Sequence, residues 1–99
     1  MELKKPAVAG TLESSDVQIT LRPNEGEGIN IQLTSDVQAM FGDAIEATVR
    51  QVLSEFDVTD ADVTVIDKGA LDVVIRSRMQ CAIVRSAETP YNWGKGDLQ

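Results

Sequence analysis

Between Val37 and Phe56 apolar side chains recur at spacings of three and four: Val37, Met40, Phe41, Ala44, Ile45, Val49, Val52, Leu53 and Phe56. That period lays a wide apolar stripe along an α-helix of about five turns, and such a stripe has to be buried against a second layer. The start of the helix is marked too. Ser35 followed three residues later by Gln38 is a capping-box pattern, and Asp36 places negative charge where the helix dipole favours it. A helix is therefore predicted over about 36–56. Gly42 inside the pattern costs about 1 kcal/mol relative to alanine and marks a place for a kink before Asp43. Thr48 falls in the stripe, where its methyl can pack while its hydroxyl returns to a carbonyl one turn earlier.

The second layer comes from alternating segments. Val17, Ile19 and Leu21 alternate with Gln18, Thr20 and Arg22, and after "NEGEG" Ile29, Ile31 and Leu33 alternate with Asn30, Gln32 and Thr34. Two half-buried strands joined by a glycine-bearing turn read as a β-hairpin. Beyond the helix, Ala61, Val63 and Val65 alternate, "DKG" breaks the chain, and Leu71, Val73 and Ile75 alternate again, which predicts a second hairpin. Residues 78–87 satisfy both strand and helix periods, and a short C-terminal helix is preferred. From Glu88 the pattern stops, and a loosely ordered tail over 88–99 is expected to dock through Tyr91 and Trp93. The predicted fold is a two-layer α+β domain over 1–87: a mostly antiparallel sheet, one long helix and a shorter one, in the order hairpin, helix, hairpin, helix.

Charge and residue inventory exclude several functions. Of the 99 residues 42% are apolar, enough for a core, and 16 acidic against 9 basic side chains leave a net charge of −7. A field of that sign repels phosphate backbones, so nucleic acid is not an expected partner. No apolar run approaches the roughly 18 residues of a membrane span, and "MELKKPAVAG" lacks the apolar core of a secretory signal, so a cytoplasmic location is expected. There is no histidine, which removes the usual general base, triad member and metal ligand. Cys81 is the sole cysteine; it stands in the apolar string "MQCAIV" and reads as a buried core thiol. No catalytic residue and no metal ligand is assigned.

Three polar groupings remain. Asp57, Asp60 and Asp62 lack the loop glycine and closing glutamate of a calcium loop and read as solvated turn carboxylates. Lys68, Arg76 and Arg78 form a local basic concentration that could hold a phosphorylated group if the fold brings one near. Ser14 and Ser15, ahead of Asp16 and the first strand, are turn-shaping serines on chemistry alone. Without an adjacent base neither is a nucleophile, so a functional Ser14 is one modified by another enzyme.

"PAVAGTLESSDV", "FGDAI", "DKGALD" and "IRSR" occur in the order and spacing of a known family, and from about Lys5 to Ala87 the chain resembles the acyl carrier proteins, or gamma subunits, of citrate lyase. The resemblance implies a non-catalytic carrier whose serine after "TLE", here Ser14, bears a prosthetic group derived from 2'-(5''-triphosphoribosyl)-3'-dephospho-CoA. Ser15 beside it is the second choice. It also implies partners: an alpha subunit that exchanges the carrier's acetyl for citrate, a beta subunit that cleaves the citryl thioester to oxaloacetate, and the transferase and ligase that prepare the arm. An acidic surface would dock basic patches on those subunits. The carrier of malonate decarboxylase is similar in kind, but "TLES" with "DKGALD" resembles citrate lyase better. Phosphopantetheine carriers place their serine at a helix start, which this pattern does not. An unmodified protein-interaction module is the alternative of another class, and a hydrolase using Cys81 a third.

Overall fold

The computed structural model describes residues 1–88, so the expected docking of Tyr91 and Trp93 lies outside the described residues. Six elements follow one another: β1 (Ala7–Gly10), β2 (Val17–Arg22), β3 (Ile29–Ser35), α1 (Gln38–Glu55), β4 (Ala61–Asp67) and α2 (Asp72–Ala87). The strands form one sheet in the order β1-β2-β4-β3, with β1–β2 and β2–β4 antiparallel and β3–β4 parallel. The two helices pack on one face of it, giving the two-layer α+β fold with a mostly antiparallel sheet that the sequence predicts.

Alternation is realised strand by strand. Val17, Ile19 and Leu21 of β2 and Ala61, Val63 and Val65 of β4 point into the core, while Gln18, Thr20 and Thr64 are only half-buried on the other face. Ile19 and Leu33 both stand opposite Val65, so one row of aliphatic side chains crosses the inner face. At the end of that row's neighbour, Val17 and Ser35 flank Asp67.

The strand neighbours differ from the two predicted hairpins. β2 and β3 do not pair; β4 lies between them. β4 has its inward side chains fully buried whereas those of β3 are half-buried, and the more apolar strand takes the centre where both edges are covered. Loop 23–28 then has to span two strand spacings, about 10 Å, which its length allows. α1 connects β3 to β4 as the crossover that a parallel pair requires. The second predicted hairpin is absent because Leu71 is the residue before a continuous helix. Leu71 and Val73 face solvent, whereas Ile75, Met79, Ala82, Ile83 and Ser86 are buried at helical spacing. Residues 78–87 are thus helical, as preferred. "AVAG", which carried no strand prediction, is the edge strand β1.

α1 runs unbroken through Gly42 to Glu55, with Phe56 as its C-cap. Its capping box is half formed: Gln38 Oε1 accepts the Ser35 N–H (3.2 Å), but Ser35 Oγ accepts from Val37 (3.1 Å) and not from Gln38, and the helix begins at Gln38, two residues later than a box on Ser35 would place it. The stripe is buried only in part. Ile45, Val49, Val52 and Leu53 are in the core, while Met40, Phe41 and Ala44 near the N-terminal end are exposed. Thr48 also departs from expectation, since its hydroxyl donates to Asp72 at the start of α2 (2.6 Å) rather than to its own helix.

Candidate functional site

Loop 11–16 joins β1 to β2 at the end of the sheet where β3 and β4 also terminate. It leaves β1 through Gly10 at φ +90°, where a Cβ would stand 1.8 Å from the Val17 carbonyl oxygen; only glycine lets the ends of the loop approach this closely. Thr11 and Asp16 then close it. Thr11 Oγ1 donates to Asp16 Oδ2 (2.6 Å) and accepts the Glu13 N–H (3.2 Å), and Asp16 Oδ1 accepts the Val17 N–H (2.7 Å). Across the tip, the Asp16 N–H donates to the Glu13 carbonyl (3.1 Å), making a β-turn with Ser14 and Ser15 at its two corners. Ser15 takes the positive φ, +65°, that the third position of a type II turn demands.

The loop is fixed to two other segments. Arg78 of α2 grips Asp16 with Nε to Oδ1 (3.1 Å) and Nη2 to Oδ2 (2.9 Å), a bidentate pair that joins residues 62 apart in sequence. These two bonds, with those from Thr11 and Val17, hold the Asp16 carboxyl far below the usual carboxylate range, and the same pairing raises Arg78 above its own. On the other side the Ser15 N–H donates to the Lys68 carbonyl (2.8 Å) and the Lys68 N–H to the Asp16 carbonyl (2.9 Å).

Beneath Lys68 lies Asp67, a carboxylate 1% exposed. Oδ2 accepts from the Ser35 hydroxyl (2.8 Å) and the Gly69 N–H (3.1 Å), Oδ1 from the Ala70 N–H (2.9 Å), so one buried carboxylate ties the end of β3 to the turn that leads into α2. Ser35 Oγ in turn accepts from Val37 ahead of α1. The serine turn therefore rests on a platform reaching both helices.

Ser14 and Ser15 are both exposed, and neither hydroxyl hydrogen-bonds another described residue. This corrects the reading of them as turn-shaping serines. Thr11 and Asp16 shape the turn, and the serine hydroxyls are left to solvent. The backbones differ: Ser15 is held through its N–H in a left-handed conformation, while Ser14 occupies the preceding corner with no such tie.

Of the basic group, the fold brings Lys68 and Arg78 to this loop and takes Arg76 elsewhere. Arg76 bridges the helices, with Nη2 2.8 Å from both Glu55 carboxylate oxygens and Nη1 3.2 Å from Gln51. Lys68 Nζ stands 3.8 Å from Asp36, the longest ion pair among the described residues. The acidic residues of 57–62 lie at the opposite end of the sheet. Asp60 and Asp62 are not merely solvated turn carboxylates: Asp60 accepts the Gly28 N–H (3.0 Å), and Asp62 accepts from Asn24 and Asn30 (3.1 Å each), securing loop 23–28. Cys81 is half-buried at the edge of the core. Among the described residues no group of three or more candidate ligands could hold a metal ion, and no helix is long and apolar enough to cross a membrane.

Asp67, Thr11 and Gly10 were not singled out by sequence reasoning. A signal existed for the first, because Asp67 two residues before Gly69 is the pattern of a side chain that turns back on its own backbone.

Comparison with known proteins bears on this geometry. Residues 4–86 match the acyl carrier family model described as malonate decarboxylase delta subunit (MdcD). A citrate lyase acyl carrier protein from Lactococcus lactis is 55% identical over 94% of this chain and 97% of its own, and one from Haemophilus influenzae is 47% identical over 94% and 96%. Among solved structures, a chain of a Pseudomonas malonate decarboxylase hetero-tetramer superposes with a TM-score of 0.68 at 19% identity, covering 86% of this chain and 91% of that one, a likeness of fold.

Proposed function

From the premise that this chain belongs to the citrate lyase acyl carrier proteins, a carrier subunit and not a catalytic one, we propose that Ser14 is where its covalent prosthetic group is attached. The observation that carries this reading is the combination of a free, exposed Ser14 hydroxyl with a turn immobilised on both sides of it. A carrier must offer an alcohol that a foreign active site can reach while the rest of the molecule stays folded, and it must not add chemistry of its own. The absence of histidine accords with that division of labour.

The surroundings of Ser14 suit a phosphodiester. Lys68 and Arg78 set cationic groups on either flank of the loop, and Arg78 takes up the charge of Asp16, so a linked phosphate meets less repulsion than the sequence Glu-Ser-Ser-Asp suggests. When bound, a group derived from dephospho-CoA supplies a thiol on a long tether that carries the acyl unit as a thioester. What this chain contributes is position: Gly10, Thr11 and Asp16 fix where the tether starts, and Asp67 fixes the ground under it. Tethering raises the effective concentration of the bound acyl group at every site within reach. In this reading the partners are the alpha and beta subunits of citrate lyase, in the cytoplasm, and the product is oxaloacetate with the carrier left acetylated.

Identity near 50% over almost the whole chain favours citrate lyase over malonate decarboxylase, with which the likeness is one of family model and fold. Reconstitution decides. Ser14→Ala carrier mixed with the other lyase subunits is expected to support no citrate cleavage while Ser15→Ala supports it; cleavage by Ser14→Ala would refute the assignment.

A further inference from the structure

Six large apolar side chains are exposed among the described residues: Val8, Leu12, Met40, Phe41, Leu71 and Val73. All but Val8 belong to one end of the molecule, in the serine loop or at the starts of the two helices. There Val37, Phe41 and Ala44 of one wall face Ala70, Leu71 and Ile75 of the other across a groove of about 340 Å3. Phe41 is 50% and Leu71 71% exposed, so apolar surface stands open to solvent on both walls of the groove. Its floor begins at Gly69, one residue beyond the Lys68 carbonyl that holds Ser15. The groove therefore adjoins the serine turn through Lys68 and Gly69.

Chemistry at Ser14 says what has to come there. The chain has no histidine, and among the described residues no side chain hydrogen-bonds the Ser14 hydroxyl, so the base that removes its proton is assigned to another protein. That base works at hydrogen-bond distance, which forces its owner against the surface around the turn. A catalytic subunit served by a long tether has no such need. The charges are one-sided as well: Glu13, Asp36 and Asp72 border the surface against Lys68, which Asp36 already pairs.

We propose that the groove between α1 and the 69–72 turn is the docking site for the enzyme that attaches the group to Ser14, which inserts an apolar side chain flanked by lysine or arginine. The inference rests on the carrier reading above and adds to it a recognition surface distinct from the attachment point. Phosphodiester formation there transfers the Ser14 proton to the enzyme's base as the oxygen attacks phosphorus and pyrophosphate or an equivalent phosphate leaves.

The test is the initial rate of adduct formation, read by intact mass with the purified attaching enzyme, for wild type, Leu71→Ser, Phe41→Ser and Val8→Ser. Leu71 precedes α2 with extended backbone and no capping side chain, so serine there supports the helix and a slow rate cannot be blamed on misfolding. Leu71→Ser and Phe41→Ser are expected to load about tenfold more slowly at low carrier concentration and to recover at high concentration, with Val8→Ser unchanged. Equal rates in all four overturn the proposal, as does a deficit that persists at saturation. Wild-type self-association that Leu71→Ser abolishes would give the groove to a second copy instead. No adduct on wild type, by contrast, removes the carrier reading itself.

Discussion

The two ends of the sheet are built from the same parts and finished differently. At one end loop 23–28 is held by Asp60 and Asp62, which accept from Gly28, Asn24 and Asn30; at the other, loop 11–16 is held by Asp16 and, through Lys68, by Asp67. Aspartate acts in both as a local acceptor for otherwise unpaired donors. The first end stops there, with its carboxylates at the surface and no large apolar side chain exposed in its loop. The second buries Asp67, locks Asp16 onto α2, and leaves two hydroxyls and an apolar groove open to solvent. Rigidity in the support with vacancy at the tip distinguishes a presentation site from an ordinary connection.

Glycine substitutions give the sharpest contrast. Gly10→Ala adds a Cβ to a left-handed backbone and drives it into the Val17 carbonyl, with an expected cost of about 3 kcal/mol or more. Gly26→Ala has the same handedness problem, φ +71°, but open space around it, and about 1 kcal/mol is expected. Urea denaturation of both variants checks the difference, and equal losses would erase the distinction between the ends.

Asp67→Ala removes the buried acceptor shared by the Ser35 hydroxyl and two backbone N–H groups, leaves a cavity at the end of β4, and is expected to cost about 3 kcal/mol. Asp62→Ala releases two exposed asparagine amides to water, for about 1 kcal/mol. Amide exchange localises the effect: faster exchange at Gly69 and Ala70 is predicted for the first variant and none there for the second.

A third contrast is with acid. Because its pairing lowers the Asp16 carboxyl below the value near 3.9 of an unfolded chain, the stabilisation is complete above that pH and is lost as pH falls below about 4. Wild type should therefore lose more stability between pH 6 and pH 3 than Asp16→Asn does, measured as the shift in urea midpoint. Identical shifts would mean that the Arg78 grip contributes nothing.

How much of this the sequence discloses depends on range. The stripe from Ile45 to Leu53 and the alternation in β2, β3 and β4 are local, and those elements stand where the periods put them. Alternation says which side of a strand faces inward but not which strand lies beside it, so β4 between β2 and β3 was beyond that reasoning. The strand–helix–strand order was a hint at the parallel pair. Leu71, Val73 and Ile75 misled because a run this short fits two periods, and the decisive residues, Met79 to Ser86, lie further on. At the site, the hydroxyls were visible as residues; the grip of Arg78 on Asp16 was not, because nothing local links positions 62 apart. Exposure of Phe41 and Met40 likewise depends on where the sheet ends, not on the stripe they belong to.

One small expected effect runs the other way. Leu71→Ser supplies the capping oxygen that α2 lacks and should stabilise the fold by about 1 kcal/mol, seen as a raised Tm.

Fragmentation of the peptide spanning residues 11–22 from protein that has been loaded in vivo tests the central claim most directly. The account predicts a single adduct whose mass stays on Ser14. An adduct on Ser15, or a loaded protein whose adduct lies outside the turn, would contradict it.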